Sequence, residues 1–316
     1  MPHDHDYAEE HDHEEGHDHG HAHALPDSSR AFAIGVLLNT GFVVAEVIFG
    51  LAANSLALLS DAGHNLSDVF GLLMAWGALR LAKSLPSKRR TYGWRRASIL
   101  AALGNALLLL LVTGGIVWEA VGRFAHPETV AGGTVMWVAG LGVVINTATA
   151  LLFMAGREKD LNVKGAFMHM AADAVLALGV VVVGVVILLT GWHWLDPAMS
   201  LLISVVIVYG TWGLLRESVD LAMDAVPAKI DPQAVEAFLA QRPGVTAVHD
   251  LHIWAMSTTE VALTAHLVMP KGCPSDEFLH ETGHELEEQF GIGHTTLQME
   301  LGDTGEECHQ APAAAL

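Results

Sequence analysis

Two histidine–aspartate pairs stand where ionisable groups are costly. His64-Asn65-Leu66-Ser67-Asp68 and His169-Met170-Ala171-Ala172-Asp173 each set an imidazole and a carboxylate four residues apart, inside long apolar runs. On an α-helix, residues i and i+4 share a face. Two such faces turned toward each other supply two nitrogen and two oxygen ligands, enough for a tetrahedral shell around Zn²⁺. A charged side chain at mid-membrane depth costs roughly 2.5–3.5 kcal/mol on insertion scales. The chain carries that cost twice at matching spacing, so His64, Asp68, His169 and Asp173 read as one intramembrane metal site. The two aspartates supply the charge that neutralises the ion. The two imidazoles tilt the site toward Zn²⁺, with Co²⁺, Ni²⁺ and Cd²⁺ as lesser alternatives, whereas an all-carboxylate shell suits harder ions such as Mn²⁺.

Two further acids lie in the same apolar region. Asp61 precedes His64 by three residues and falls on its helical stripe, where it reads as an accessory, cap or gate residue. Glu46 reads either as a proton relay or as a structural hydrogen-bonding group held against a neighbouring helix.

The elements that must position these groups follow from hydropathy. The chain is 52% hydrophobic and only 16% charged, a membrane composition. Six apolar segments run over about 31–53, 60–82, 97–121, 132–155, 166–190 and 197–218. Each has the ~20 residues that a helix needs to cross a ~30 Å hydrocarbon core. Asp196-Pro197 reads as N-cap and first residue of the sixth helix. Gly140 and Gly142 mark the fourth as a close-packing helix. Lys83, Lys88, Arg89, Arg90, Arg95 and Arg96 fill the connection between segments two and three, and Arg157, Lys159 and Lys164 that between four and five. Arg123 is the only basic residue in the other connections, so both termini are expected in the cytoplasm. Topology thus explains the basic cluster, and no nucleic-acid partner is implied. No basic n-region precedes a short apolar run at the start, so no signal peptide is read. Cys273 and Cys308 form no disulfide framework.

The expected organisation has four parts. Residues 1–29 form a disordered cytoplasmic tail in which His3, His5, His11, His13, His17, His19, His21 and His23 alternate with Asp, Glu and Gly. It reads as a weak zinc-collecting tail, with a merely solvated acidic tail as the alternative. Residues 30–224 form the six-helix membrane domain, 225–302 a small cytoplasmic domain and 303–316 a flexible tail. In the small domain a helix begins at Asp231, strands alternate over 245–254 and 260–269, an amphipathic helix covers 275–290 and a last strand 294–301. The order α-β-β-α-β gives a two-layer α+β domain. Strict alternation sends His249 and His252 to opposite faces of the first strand.

These patterns together resemble the cation diffusion facilitator family, in its zinc-transporting branch. The resemblance covers nearly the whole chain. It rests on Ser60-Asp61-Ala62-Gly63-His64 with Asp68, on Asn162-Val163-Lys164-Gly165-Ala166 with His169 and Asp173, and on His249-Asp250-Leu251-His252-Ile253-Trp254. It implies a homodimeric membrane protein that exchanges cytoplasmic Zn²⁺ for H⁺, with a metallochaperone-like soluble domain that binds further, regulatory zinc. The implied transport ligands are His64, Asp68, His169 and Asp173. By position, His249, His266, His294 and Glu300 are the candidates in the soluble domain, with His280 and His284 as another i, i+4 pair. Arg96 with Asp224 matches a structural ion pair at the membrane–domain junction. A metal site that some relatives carry after the second helix is expected to be absent, since Arg89–Arg96 offers no ligands.

The expected function is therefore secondary active export of Zn²⁺ by alternating access, in the inner (plasma) membrane of a bacterium. A passive zinc channel, and a membrane metal sensor or storage protein, are the alternatives. Four ligands without an HExxH motif leave no open zinc position, so no enzyme is read. No P-loop or phosphorylated-aspartate motif points to ATP, and no organic cofactor is implied.

Overall fold

A computed structural model describes residues 29–82, 84–154, 161–272 and 275–302. The histidines of the N-terminal tail, Lys83, Arg157, Lys159, Cys273 and Cys308 lie outside them. Six long helices follow in order: α1 (Ser29–Ala53), α2 (Leu56–Ala82), α3 (Ala97–Ala125), α4 (Gly132–Met154), α5 (Leu161–Thr190) and α6 (Leu195–Ala222). Spans in α3, α4, α5 and α6 are long and apolar enough to cross a membrane, with mean hydropathy of 2.2, 1.6, 2.8 and 2.0. α1 adds the shorter apolar stretch Asn39–Ala53. α2 has 27 residues but carries Asp61, His64, Asn65 and Asp68, and it is the polar member of the group.

The turns α1–α2, α3–α4 and α5–α6 are tied together at one end. Asp196 is buried, and its carboxylate accepts from Ser55 Oγ at 2.5 Å and from the backbone N–H groups of Leu56 and Ala57 at 2.7 and 3.4 Å. Asp196 therefore caps α2, not its own helix, which starts one residue earlier at Leu195. A carboxylate on the exposed N–H groups of a first turn is favoured by both hydrogen bonding and the helix dipole. Arg123 donates to the Asn54 backbone carbonyl at 2.6 Å and to its side-chain oxygen at 2.8 Å. Asn54, at φ 55°, turns the chain from α1 into α2.

Close packing between α4 and α5 is set by Gly132 and Gly184. A Cβ on Gly184 would stand 2.7 Å from Met136 N and 3.0 Å from Gly132 O. Gly142 also permits close packing, as expected, but against Phe42 of α1, whereas Gly140 meets nothing within 4 Å. The apolar core joins Ala57 and Leu58 of α2, Val135 and Ala139 of α4, Val180 of α5 and Ile203 of α6.

The soluble domain comprises α7 (Pro232–Ala240), β1 (Ala247–Ala255), β2 (Val261–Val268), α8 (Asp276–Phe290) and β3 (His294–Glu300). Asp231 caps α7 by accepting from Gln233 N at 3.0 Å, with Pro232 at the first helical position. The sheet order is β1-β2-β3, antiparallel between the first pair and parallel between the second. The parallel step requires the crossover that α8 supplies. Val235, Leu239, Phe278 and Leu286 of the helices pack on Leu263, Ala265 and Leu267, so both helices cover one face of the sheet.

β1 does not alternate as expected. Its register shifts between His249 and His252, and Asp250 sits at φ 51°. This is a β-bulge, one extra residue in the strand. His249 pairs with His266 and His252 with Thr264, two residues apart on β2. The bulge therefore brings His249 and His252 to the same open face, against the expectation of opposite faces.

Candidate metal centre

The two helical pairs meet across α2 and α5. His64 Nε2 lies 3.2 Å from Asp173 Oδ1, and His169 Nε2 lies 3.1 Å from Asp68 Oδ2. Within each helix the His–Asp separations are 3.9 and 3.6 Å. One ligand atom from each of the four residues falls within 4.8 Å of all the others. Ligands about 2.0–2.1 Å from a tetrahedral ion stand about 3.3 Å from one another. The observed separations bracket that spacing, so the four groups fit a small divalent cation with little rearrangement.

Access to the four is graded. The side chains of His169 and Asp68 are 42% and 34% exposed, those of His64 and Asp173 18% and 2%. His169 and Asp68 lie toward the helix ends that face the soluble domain, His64 and Asp173 toward the turns clasped by Asp196. The cluster is thus more exposed at its domain-side end than at the other. Behind it Glu46 and Asp61 are fully buried, and Glu46 accepts from Asn65 Nδ2 at 3.0 Å. α1 is thereby hydrogen-bonded to the ligand-bearing stretch of α2.

A second cluster forms on the open face of the sheet. His249 Nε2 and His266 Nδ1 lie 3.2 and 2.9 Å from the two oxygens of Glu300. The three could hold a metal ion. His266 Nε2 also lies 3.5 Å from Asp250, which His252 contacts at 3.0 Å. The structure does not bring His294 here. It starts β3, six residues from Glu300 and about 20 Å away along a strand, and packs edge-on against Tyr92 at 5.6 Å. Nor does it bring His280 and His284, because α8 covers the opposite face. His284 is exposed and lies 3.6 Å from Glu288 on its own helix.

At the junction of the two domains, Arg96 and Asp224 are in contact. Two neighbours that sequence reasoning missed reinforce them. Arg95 pairs with Glu260 at 3.1 Å, and Ser98 Oγ accepts from Thr258 N at 3.1 Å. These bonds join residues about 130–165 apart, and no local spacing signals them.

Long apolar helices that share a four-ligand cluster able to hold a cation, attached to a small domain with a second cluster, define the class of membrane transporters for metal cations. The chain belongs to the cation efflux family. Residues 32–221 match the cation efflux transmembrane domain and residues 227–301 the cytoplasmic domain of cation efflux proteins. The metal cation efflux system protein CzcD of Cupriavidus metallidurans is 38% identical over 288 residues, covering 91% of this chain and 90% of that protein. Zinc transporter ZitB of Escherichia coli is 35% identical over 292 residues, covering 90% and 92%. The cadmium, cobalt and zinc/H(+)-K(+) antiporter of Bacillus subtilis is 33% identical over 278 residues, covering 86% and 89%. The solved metal-bound C-terminal domain of the CzcD transporter is 40% identical, covers 23% of this chain and all of that one, and gives a TM-score of 0.22.

Proposed function

We propose that the protein exports Zn²⁺ from the cytoplasm in exchange for H⁺ by alternating access, with His64, Asp68, His169 and Asp173 as the transport site. The observation that carries this reading is the four-ligand cluster split between two helices. Because two ligands come from α2 and two from α5, any movement of one helix against the other breaks or remakes the shell. The greater exposure toward the soluble domain corresponds to the state that receives cytoplasmic zinc. Ligation needs neutral imidazoles and ionised carboxylates, so metal and protons compete for the same atoms. An unpaired buried carboxylate is expensive, and proton uptake offsets that cost on the empty return. Glu46 and Asp61 stand beside the site as proton-exchanging groups, Asn65 fixing the first of them.

His249, His266 and Glu300 hold regulatory zinc in the soluble domain, which joins two copies into a homodimer in the bacterial inner membrane. The Arg96–Asp224 pair transmits its position to the helices, and the histidine-rich tail collects zinc loosely. The test is zinc movement into sealed proteoliposomes with an imposed pH gradient, wild type beside Asp173→Ala. Uphill, gradient-dependent movement lost in the variant supports the reading. Movement that runs only downhill and ignores the gradient indicates a channel. Uphill movement that survives in Asp173→Ala puts the site elsewhere.

A further inference from the structure

A cleft of about 880 Å³ opens between the domain-side ends of α2 and α3. Phe70, Leu73, Met74, Gly77 and Leu81 of α2 form its apolar wall, with Leu100 of α3 opposite. The α2–α3 connection forms its rim, and Trp254 and Met256 close it from the soluble domain. Arg89, Arg90, Arg95 and Arg96 all line it, and among the described residues no aspartate or glutamate does. Glu260 and Asp224 neutralise Arg95 and Arg96. Arg89 and Arg90 have no carboxylate partner among the described residues. The Arg90 guanidinium carbon lies over the Trp94 ring, 3.8 Å from its centroid, a cation–π contact that uses none of its N–H groups on a carboxylate.

The dimensions decide what fits. From Phe70 to Leu81 the wall runs about 16 Å along the helix, and one leaflet of hydrocarbon is about 15 Å deep. Leu73, Leu81 and Leu100 are 54%, 45% and 61% exposed along it. A leaflet-deep apolar wall ending in two uncompensated arginines matches an amphiphile with an anionic head. Free phosphate would leave the wall unused. An acidic peptide would carry backbone polar groups to a depth where nothing satisfies them.

We propose that this cleft binds an anionic phospholipid of the leaflet on the soluble-domain side, its phosphate on Arg89 and Arg90 and an acyl chain along α2. The lipid then bridges α2, α3 and the soluble domain at the junction where Arg95, Arg96 and Ser98 already meet it. The proposal rests on the membrane-spanning fold and not on the identity of the transported ion.

The test is native mass spectrometry of the full chain released from bilayers of equal phosphatidylglycerol and phosphatidylcholine. A basic side chain near the membrane surface favours an anionic lipid about fivefold, so two give a preference of about 30-fold for retained phosphatidylglycerol. Arg89→Gln with Arg90→Gln should abolish the preference. Gly77→Phe, where a Cβ meets nothing within 4 Å, should fill the groove and release the lipid with both arginines in place. Zinc uptake in phosphatidylcholine vesicles is expected to be unchanged in these variants, which checks their folding. Equal retention of the two lipids by the wild type overturns the proposal whatever the variants do. So does loss of retained phosphatidylglycerol to excess inorganic phosphate, which makes the arginines a free-phosphate site. Efficient inter-subunit cross-linking of Arg90→Cys without loss of lipid also overturns it, because a second copy then covers the cleft.

Discussion

The unequal burial of the two aspartates predicts unequal consequences when each becomes asparagine. Both substitutions keep the shape of the site and remove one negative charge. Asp68 is 34% exposed at the domain-side end, so water can take the coordination position it vacates. Asp173 is 2% exposed and touches both imidazoles, at 3.2 and 3.6 Å, at the less exposed end. Water has little access to that position, and the charge is lost where the surroundings screen it least. Changing a group that supports a metal ligand typically weakens binding 10–100-fold. For Asp68→Asn, with water as substitute ligand, the expected loss is of that order, about 1.4–2.7 kcal/mol. For Asp173→Asn it is about 1,000-fold or more, about 4 kcal/mol. Titration calorimetry reads the difference in a background that lacks the N-terminal histidines and carries His249→Ala and His266→Ala, so that the membrane quartet dominates. Equal losses, or a larger loss for Asp68→Asn, would refute the one-sided exposure and the access argument built on it.

Zinc binding to the quartet should release protons. The apparent enthalpy will then vary with the ionisation enthalpy of the buffer, a dependence that weakens in His169→Gln; a buffer-independent enthalpy counts against metal–proton competition. Gly184→Leu should lower the thermal unfolding midpoint in detergent by several degrees, since overpacking costs about 1–3 kcal/mol and the added carbon meets backbone at 2.7 Å; an unchanged midpoint disproves the tight α4–α5 contact. His249→Ala should lower bound zinc per chain by one, whereas His294→Ala should leave the count unchanged, read by metal analysis after dialysis; a drop for His294→Ala places that residue in a site after all.

What was legible in the sequence was periodic. The helical spacing of His64 with Asp68 and of His169 with Asp173 carried the four-ligand cluster, and apolar runs located all six long helices to within a few residues. Alternation and turn residues gave the order of the soluble domain. What escaped was long-range or broke the period. Asp196 looked like the cap of the helix it opens, but its partner is the turn before α2, 140 residues earlier. Gly142 and Gly184 are the same residue type in similar surroundings, and only the fold shows which one lets two backbones approach. Arg95 and Ser98 bind the β1–β2 turn, which no local pattern connects to the α2–α3 loop. His294 lies near the other candidates in sequence but at the wrong end of its strand.

The extra residue in β1 makes the soluble-domain ligands sensitive to the path of the backbone as well as to residue identity. Straightening the strand at its present length would impose simple alternation on His249 and His252, three residues apart, and turn one of the two imidazoles toward Leu263 and Leu267. An imidazole could thus leave the ligand set without any histidine being replaced. A β-branched residue in place of Asp250, which sits at φ 51°, would oppose the bulge, so a substitution outside the ligand positions can weaken soluble-domain metal binding.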